Sequence, residues 1–200
     1  MSNSNQTIPT NKAVLDKRPS RRKQPINPLF YALTAMLIAV TTVFTLLVRI
    51  PIPATQGYIN FSDVATFFSG FTFGPLVGGL AGGVGAAIAD LLGGYAQFAP
   101  LTLLAHGLQG VLAGLIGRKG TWLALILGWL AGTAAMVGIY LLGEALVLTT
   151  WPNAWIEAPL NLIQNVVGGL IGIPLFFAVR RAYPAILQFG ARKPQDRGSN

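Results

Sequence analysis

Ten polar side chains stand out along an otherwise apolar chain: Asn60, Asp63, Asp90, Tyr95, His106, Gln109, Glu144, Asn161, Gln164 and Asn165. Carboxylates, carboxamides, one imidazole and a phenol are groups that fix the heteroatoms of a polar ring by hydrogen bonding and charge. The spacing is helical. His106 and Gln109 stand three apart, and Asn161, Gln164 and Asn165 share one face by the same rule. Bond-breaking chemistry has little to work with. The 200 residues contain no cysteine, which excludes disulfides, thiolate catalysis and thiolate-bound metal. One histidine, with no HExxH and no serine elbow, gives no basis for a metal site. The run GGLAGGVG at 78–85 lacks the Lys and Ser/Thr of a phosphate loop. Asp90, Glu144 and His106 are the one set that could serve an enzyme as acid and base. Plainer roles also fit: Asp63 and Asp90 as helix-end residues, His106 as a packing residue, and the three amides as glue between helices.

The elements that must position these groups are membrane helices. Hydrophobic residues make up 52% of the chain and charged ones 10%, against about 25% charged in soluble domains. Glycine, at 24 of 200, lets helices approach closely where no water separates them. Crossing the hydrocarbon takes about 20 apolar residues, and six spans fit, at 29–48, 61–74, 76–93, 99–117, 122–148 and 159–182. The second is short. Residues 1–28 hold six Lys and Arg and four Pro and read as a disordered basic tail. A second polar tail covers 184–200. The first apolar run, at about 20 residues, exceeds a signal-peptide core of about 7–15 and reads as a span.

Charge orients the spans. Of 14 Lys and Arg, six precede residue 29, Arg118 and Lys119 form a pair, five lie at Arg180, Arg181, Arg192, Lys193 and Arg197, and only Arg49 remains. Placing all three clusters in the cytoplasm, as the positive-inside rule asks, gives six crossings with both termini cytoplasmic. The class is therefore all-α integral membrane, with a six-helix domain over 29–183. In that topology nine of these ten polar groups, all but Tyr95, fall together in the outer half. Intramembrane polar groups usually face a cavity or one another, so the pattern predicts an outward-facing pocket in which Tyr58, Tyr95 or Trp151 could stack on a ring. The inner halves, such as WLALILGWLAG, carry nothing that would bind a polar solute. A self-sufficient transporter or channel would need a polar inner path or an internal repeat, and neither is visible.

The stretch from GYINFSDVATFFSGFTFGPLVGG through AHGLQGVLAG, with NLIQNVVGGLIGIPL further on, resembles the substrate-binding S component of energy-coupling factor (ECF) vitamin transporters. The riboflavin and hydroxymethylpyrimidine-type branch is the nearest match. The resemblance covers about 29–183. It implies a prokaryotic plasma-membrane protein with no catalysis, cofactor or nucleic acid of its own. It would bind a vitamin or precursor from outside, beneath the loop joining spans 1 and 2. It would then topple in the lipid bilayer against a transmembrane coupling subunit driven by two ATPase subunits. The family's AxxxA coupling motif is matched by Ala35 and Ala39 in span 1. Relatives often carry Lys and Glu where this chain has His106 and Gln109, a departure that bears on the ligand.

Overall fold

The computed structural model describes residues 28–53, 55 and 57–185; most of the two expected tails lies outside these residues. Helix α1 is Pro28–Leu47, opened by a proline whose missing N–H costs nothing in a first turn. Its buried face is rich in threonine. The hydroxyls of Thr34, Thr41 and Thr45 donate to the carbonyls of Phe30, Leu37 and Thr41, and that of Thr42 reaches Gly85 O at 2.8 Å. Each polar group is thus satisfied without water.

An antiparallel hairpin follows, β1 Ile50–Ile52 and β2 Gly57–Ile59, with Pro51 opposite Tyr58. The sequence reading had only a loop here. Strands of three residues are too short to show alternation, and Pro51 argues against a strand except at an edge. Helix α2, Ser62–Phe73, buries eleven of its twelve residues. At 1.5 Å per residue it is about 18 Å long, well short of a hydrocarbon core of about 30 Å. It ends at Gly74, whose φ of 88° is open to a residue without Cβ, and Pro75 starts the next helix.

Helix α3 spans Pro75–Gly93 with a π-helical turn at Leu80–Val84; α4 is Ala99–Gly117; α5 is Trp122–Leu148 and ends in a second π-helical turn at Glu144–Leu148; α6 is Trp151–Ala182. Thr121 caps α5 by accepting from Ala124 N at 3.3 Å. The last helix starts eight residues before the expected 159. Pro152 sits at its first turn, and Pro159 and Pro174 are carried inside it. Among the described residues, five helices are long and apolar enough to cross a membrane; α2 is the sixth helix and the exception.

α2 lies inside the bundle, against α4, α6 and α3. The glycines allow backbone-to-backbone contact: a Cβ at Gly78 would fall 2.6 Å from both Gly110 O and Gly70 Cα. Phe67, Phe71, Ala113, Leu125, Ile173 and Phe176 form a dry cluster around the C-terminal half of α2. The polar groups are left for its N-terminal end.

Candidate ligand-binding site

Asp63 sits in the first turn of α2 and is fully buried. A helix N-terminus favours negative charge, and glycine at 168 lets α6 pass directly over the Asp63 side chain. Its carboxylate gathers three helices. Gln109 Nε2 of α4 donates to Oδ1 at 2.6 Å, Gln164 Nε2 of α6 donates to Oδ2 at 2.6 Å, and His106 Nδ1 lies 3.4 Å from Oδ1. Gln109 Nε2 also donates to Asn165 Oδ1 at 2.6 Å. Both amide hydrogens of Gln109 are then committed, so its Oε1 can only accept, and His106 Nδ1, 2.9 Å away, must carry the proton. The imidazole's Nε2 is left for the cavity that His106 lines.

That cavity lies between this layer and the hairpin. Tyr58, Asn60, Asp90, Thr102, His106 and Gln164 are among its walls. It holds about 30 Å³, room for one or two waters; small-ligand pockets run to about 300 Å³ or more. The hairpin closes it through three bonds. Tyr58 Oη donates to Asp90 Oδ1 at 2.5 Å, the Thr55 hydroxyl donates to Glu157, and Asn60 N donates to Gln164 Oε1 at 2.8 Å. Burial first, and the Asp90 carboxylate second, push the Tyr58 phenol well above its ordinary range, so the hydroxyl keeps its proton. Arg49 stacks beneath, 4.9 Å from the Tyr58 ring and 5.4 Å from the Tyr95 ring, with Nη1 donating to Gly93 O. Two buried atoms on cavity-lining residues have no protein partner, Asp90 Oδ2 and Asn161 Nδ2.

Of the ten residues singled out from sequence, Asn60, Asp90, His106, Asn161 and Gln164 line the cavity. Asp63, Gln109 and Asn165 form the layer that holds His106 and Gln164 in place. Tyr95 stands aside, stacked on Tyr58 at 4.6 Å. Glu144 is buried in the π-helical turn, its carboxyl approaching that of Glu157 rather than lining the cavity. Trp151, a candidate stacking residue, is 46% exposed and lies outside the lining. Sequence reasoning passed over Thr102 and Tyr140 and counted Glu157 only as an acidic group on the outer side; all three line it. Thr102 is four residues before His106 and Tyr140 four before Glu144, so helical spacing from residues already chosen would have found both. Their hydroxyls meet at 2.7 Å.

A profile of the ECF-type riboflavin transporter S component matches residues 29–181. The chain belongs to this S-component family. Among its relatives is an uncharacterised protein of Pyrococcus woesei, 41% identical over 148 residues, which covers 74% of this chain and 99% of the relative. The thiamine precursor transporter HmpT of Lactococcus lactis is 34% identical over 137 residues, covering 68% of this chain and 78% of that protein. Two solved structures share the fold. FolT bound with folic acid has a TM-score of 0.59 at 24% identity, and the S component of a bacterial ECF transporter has 0.60 at 23% identity; each alignment covers 78% of this chain and 97% of the other. As an S component, the protein is a membrane subunit of a transporter family.

Proposed function

We propose that this S component captures a neutral or cationic ring compound, a vitamin or vitamin precursor of the riboflavin, thiamine or hydroxymethylpyrimidine kind, from outside the cell. The observation that carries the reading is the way the hairpin is fastened. Its hydroxyls and one of its backbone N–H groups occupy acceptors on Asp90, Glu157 and Gln164, over a cavity too small for a vitamin. A ligand rich in N–H and O–H donors can take over those acceptors as the hairpin lifts, so opening exchanges hydrogen bonds instead of losing them. Asp90 Oδ2 is already without a donor. A carboxylate vitamin would instead bring negative charge to Asp90 and Glu157, and such juxtaposition costs several kcal/mol. The relation to HmpT supports a thiamine precursor as the first compound to try.

In this reading the chain crosses the plasma membrane six times with both ends cytoplasmic, five times through helices long enough to span it and once through the short α2 enclosed among them, and the hairpin faces outward. The energising partners are a transmembrane coupling subunit and two ATPases, met through the α1 face that bears Ala35 and Ala39, both exposed. Calorimetric titration of purified protein with riboflavin, thiamine, hydroxymethylpyrimidine, folate, biotin and pantothenate tests the ligand class. One of the first three should bind tightly, and Asp90→Asn should weaken it, most for a cation. Tight binding of a carboxylate vitamin that ignores the Asp90→Asn change would overturn the reading.

A further inference from the structure

The largest cavity described lies at the opposite end of the bundle, about 380 Å³ in volume and walled by Phe71–Pro75, Arg118–Gly120, Phe176 and Arg180. It exists because α2 is short. The turn at Gly74–Pro75 packs on Gly114, where a Cβ would meet Pro75 N at 2.5 Å; α4 runs on four residues to Arg118, about 6 Å further. The recess so formed is basic. Arg118, Lys119 and Arg180 ring it, no carboxylate is among its walls, and the one ion-pair contact among the described residues is that of His106 with Asp63. Arg180 is held in place, donating to Gly120 O at 3.2 Å and lying 5.9 Å from the Phe176 ring. Cations near helix C-termini complement the dipole, which would explain Arg118 and Arg180 alone. It does not explain Thr72, a residue of the recess wall only 7% exposed, whose buried hydroxyl has no hydrogen-bond partner. The N-terminus of α3 opens on the same space at Pro75, adding the positive end of a 19-residue helix. Trp122 and Tyr183, close in sequence to the wall residues Gly120 and Arg180, are both exposed, and aromatic residues are enriched at headgroup depth.

We propose that this recess is a phosphate-binding site, with Arg118, Lys119 and Arg180 supplying charge and the unpartnered Thr72 hydroxyl a directed donor. At headgroup depth the phosphate of an anionic lipid reaches it; a soluble phosphate compound offers the same group. Native mass spectrometry of delipidated full-length protein, with phosphatidylglycerol or a diacylglycerol of the same chains added, tests the site. One phosphatidylglycerol should be retained and the phosphate-free lipid should not. Arg118→Gln with Arg180→Gln should weaken retention roughly tenfold or more, Thr72→Val should weaken it several-fold, and Thr72→Ser should retain it. Arg181→Gln, at a position next to but outside the walls, should change nothing. Inorganic phosphate separates the sources: displacement of the lipid at millimolar phosphate, with the same dependence on Thr72, assigns the site to soluble phosphates, and no displacement assigns it to lipid. The proposal fails if neither probe binds, if diacylglycerol is retained equally, if Thr72→Val binds like the parent, or if Arg181→Gln weakens binding as much as Arg180→Gln.

Discussion

Replacing Asp63 by asparagine removes no volume, yet it should be among the most damaging single changes in the protein. The carboxylate accepts from Gln109 and from Gln164, each at 2.6 Å, and an amide can accept on one side only. If its NH₂ faces Gln164, two donors oppose each other; turning the Gln164 amide to relieve this sacrifices the bond from Asn60 N to Oε1. If it faces Gln109, the turn costs the bonds to Asn165 and His106 instead. Interhelical hydrogen bonds in membrane proteins contribute about 0.6–1.7 kcal/mol each, and a buried donor left unpaired costs about 1–3 kcal/mol. One bond lost and one donor orphaned give about 2–5 kcal/mol. At about 2–4 °C per kcal/mol for a chain of this size, thermal unfolding in detergent should begin roughly 4–20 °C lower. Ligand affinity should fall with it, because His106, Gln164 and Asn60 line the cavity. Adding Gln164→Glu to Asp63→Asn should restore part of the loss. The new carboxylate accepts from Asn60 N with one oxygen and from the introduced amide with the other. An Asp63→Asn protein with parental stability and affinity, or a double variant worse than both singles, would refute the account of this network.

Tyr58→Phe removes the bond to Asp90 that fastens the hairpin over the empty cavity and should ease its lifting, raising the ligand association rate measured by stopped flow about tenfold if the bond contributes about 1 kcal/mol or slightly more. The raised phenol range of Tyr58 also sets a pH trend: its contribution to stability is full below about pH 10, where an unfolded tyrosine ionises, and declines as pH rises above that. The Phe variant should therefore show a flatter alkaline loss of stability than the parent. Gly110→Ala should fail to yield folded protein by size-exclusion chromatography, because a Cβ there would sit on the Gly78 backbone, whereas Gly138→Ala, with nothing within 4 Å, should be silent. Ala35→Leu with Ala39→Leu should leave ligand titration unchanged and abolish uptake in cells, since both positions are exposed on α1; normal uptake would remove that face from the coupling interface. Reporters at Lys119 and after Arg181 should both read as cytoplasmic, and an external Lys119 would end the six-crossing topology.

What could be read from the residues was whatever repeats at 3.6 or stands alone in an apolar run. Hydropathy gave six spans, of which five are helices long enough to cross and the second, 61–74, is the twelve-residue α2; the convergence of Asp63, His106, Gln109, Gln164 and Asn165 follows from their depth along these helices. The hairpin did not show, because its strands are three residues long and include a proline. The two π-helical turns leave no periodic trace in five residues each. The start of α6 was misplaced because Pro152 and Pro159 both read as first-turn prolines and only packing tells which is inside. Within the candidate site, carboxylates and amides were easy to notice in apolar surroundings, but Thr102 and Tyr140 have ordinary core roles in most helices and declare themselves only by what they face. The division between residues that line the cavity and those that brace it depends on which oxygen meets which nitrogen, and no spacing rule carries that.

The enclosure of α2 has a consequence for how the protein is made. Twelve residues with a buried carboxylate in the first turn cannot enter hydrocarbon unaided, since a charged side chain there costs at least about 2.5–3.5 kcal/mol and the helix is too short to span the hydrocarbon without the other helices around it. Yet α2 leaves the ribosome before α4 and α6, which supply the donors for Asp63. It must therefore wait at the interface or in the insertion machinery until most of the chain has been synthesised, and its seating is the last step of assembly instead of the second. Nascent chains truncated before Gln164 should accordingly leave position 63 open to a water-soluble labelling reagent, while full-length chains close it.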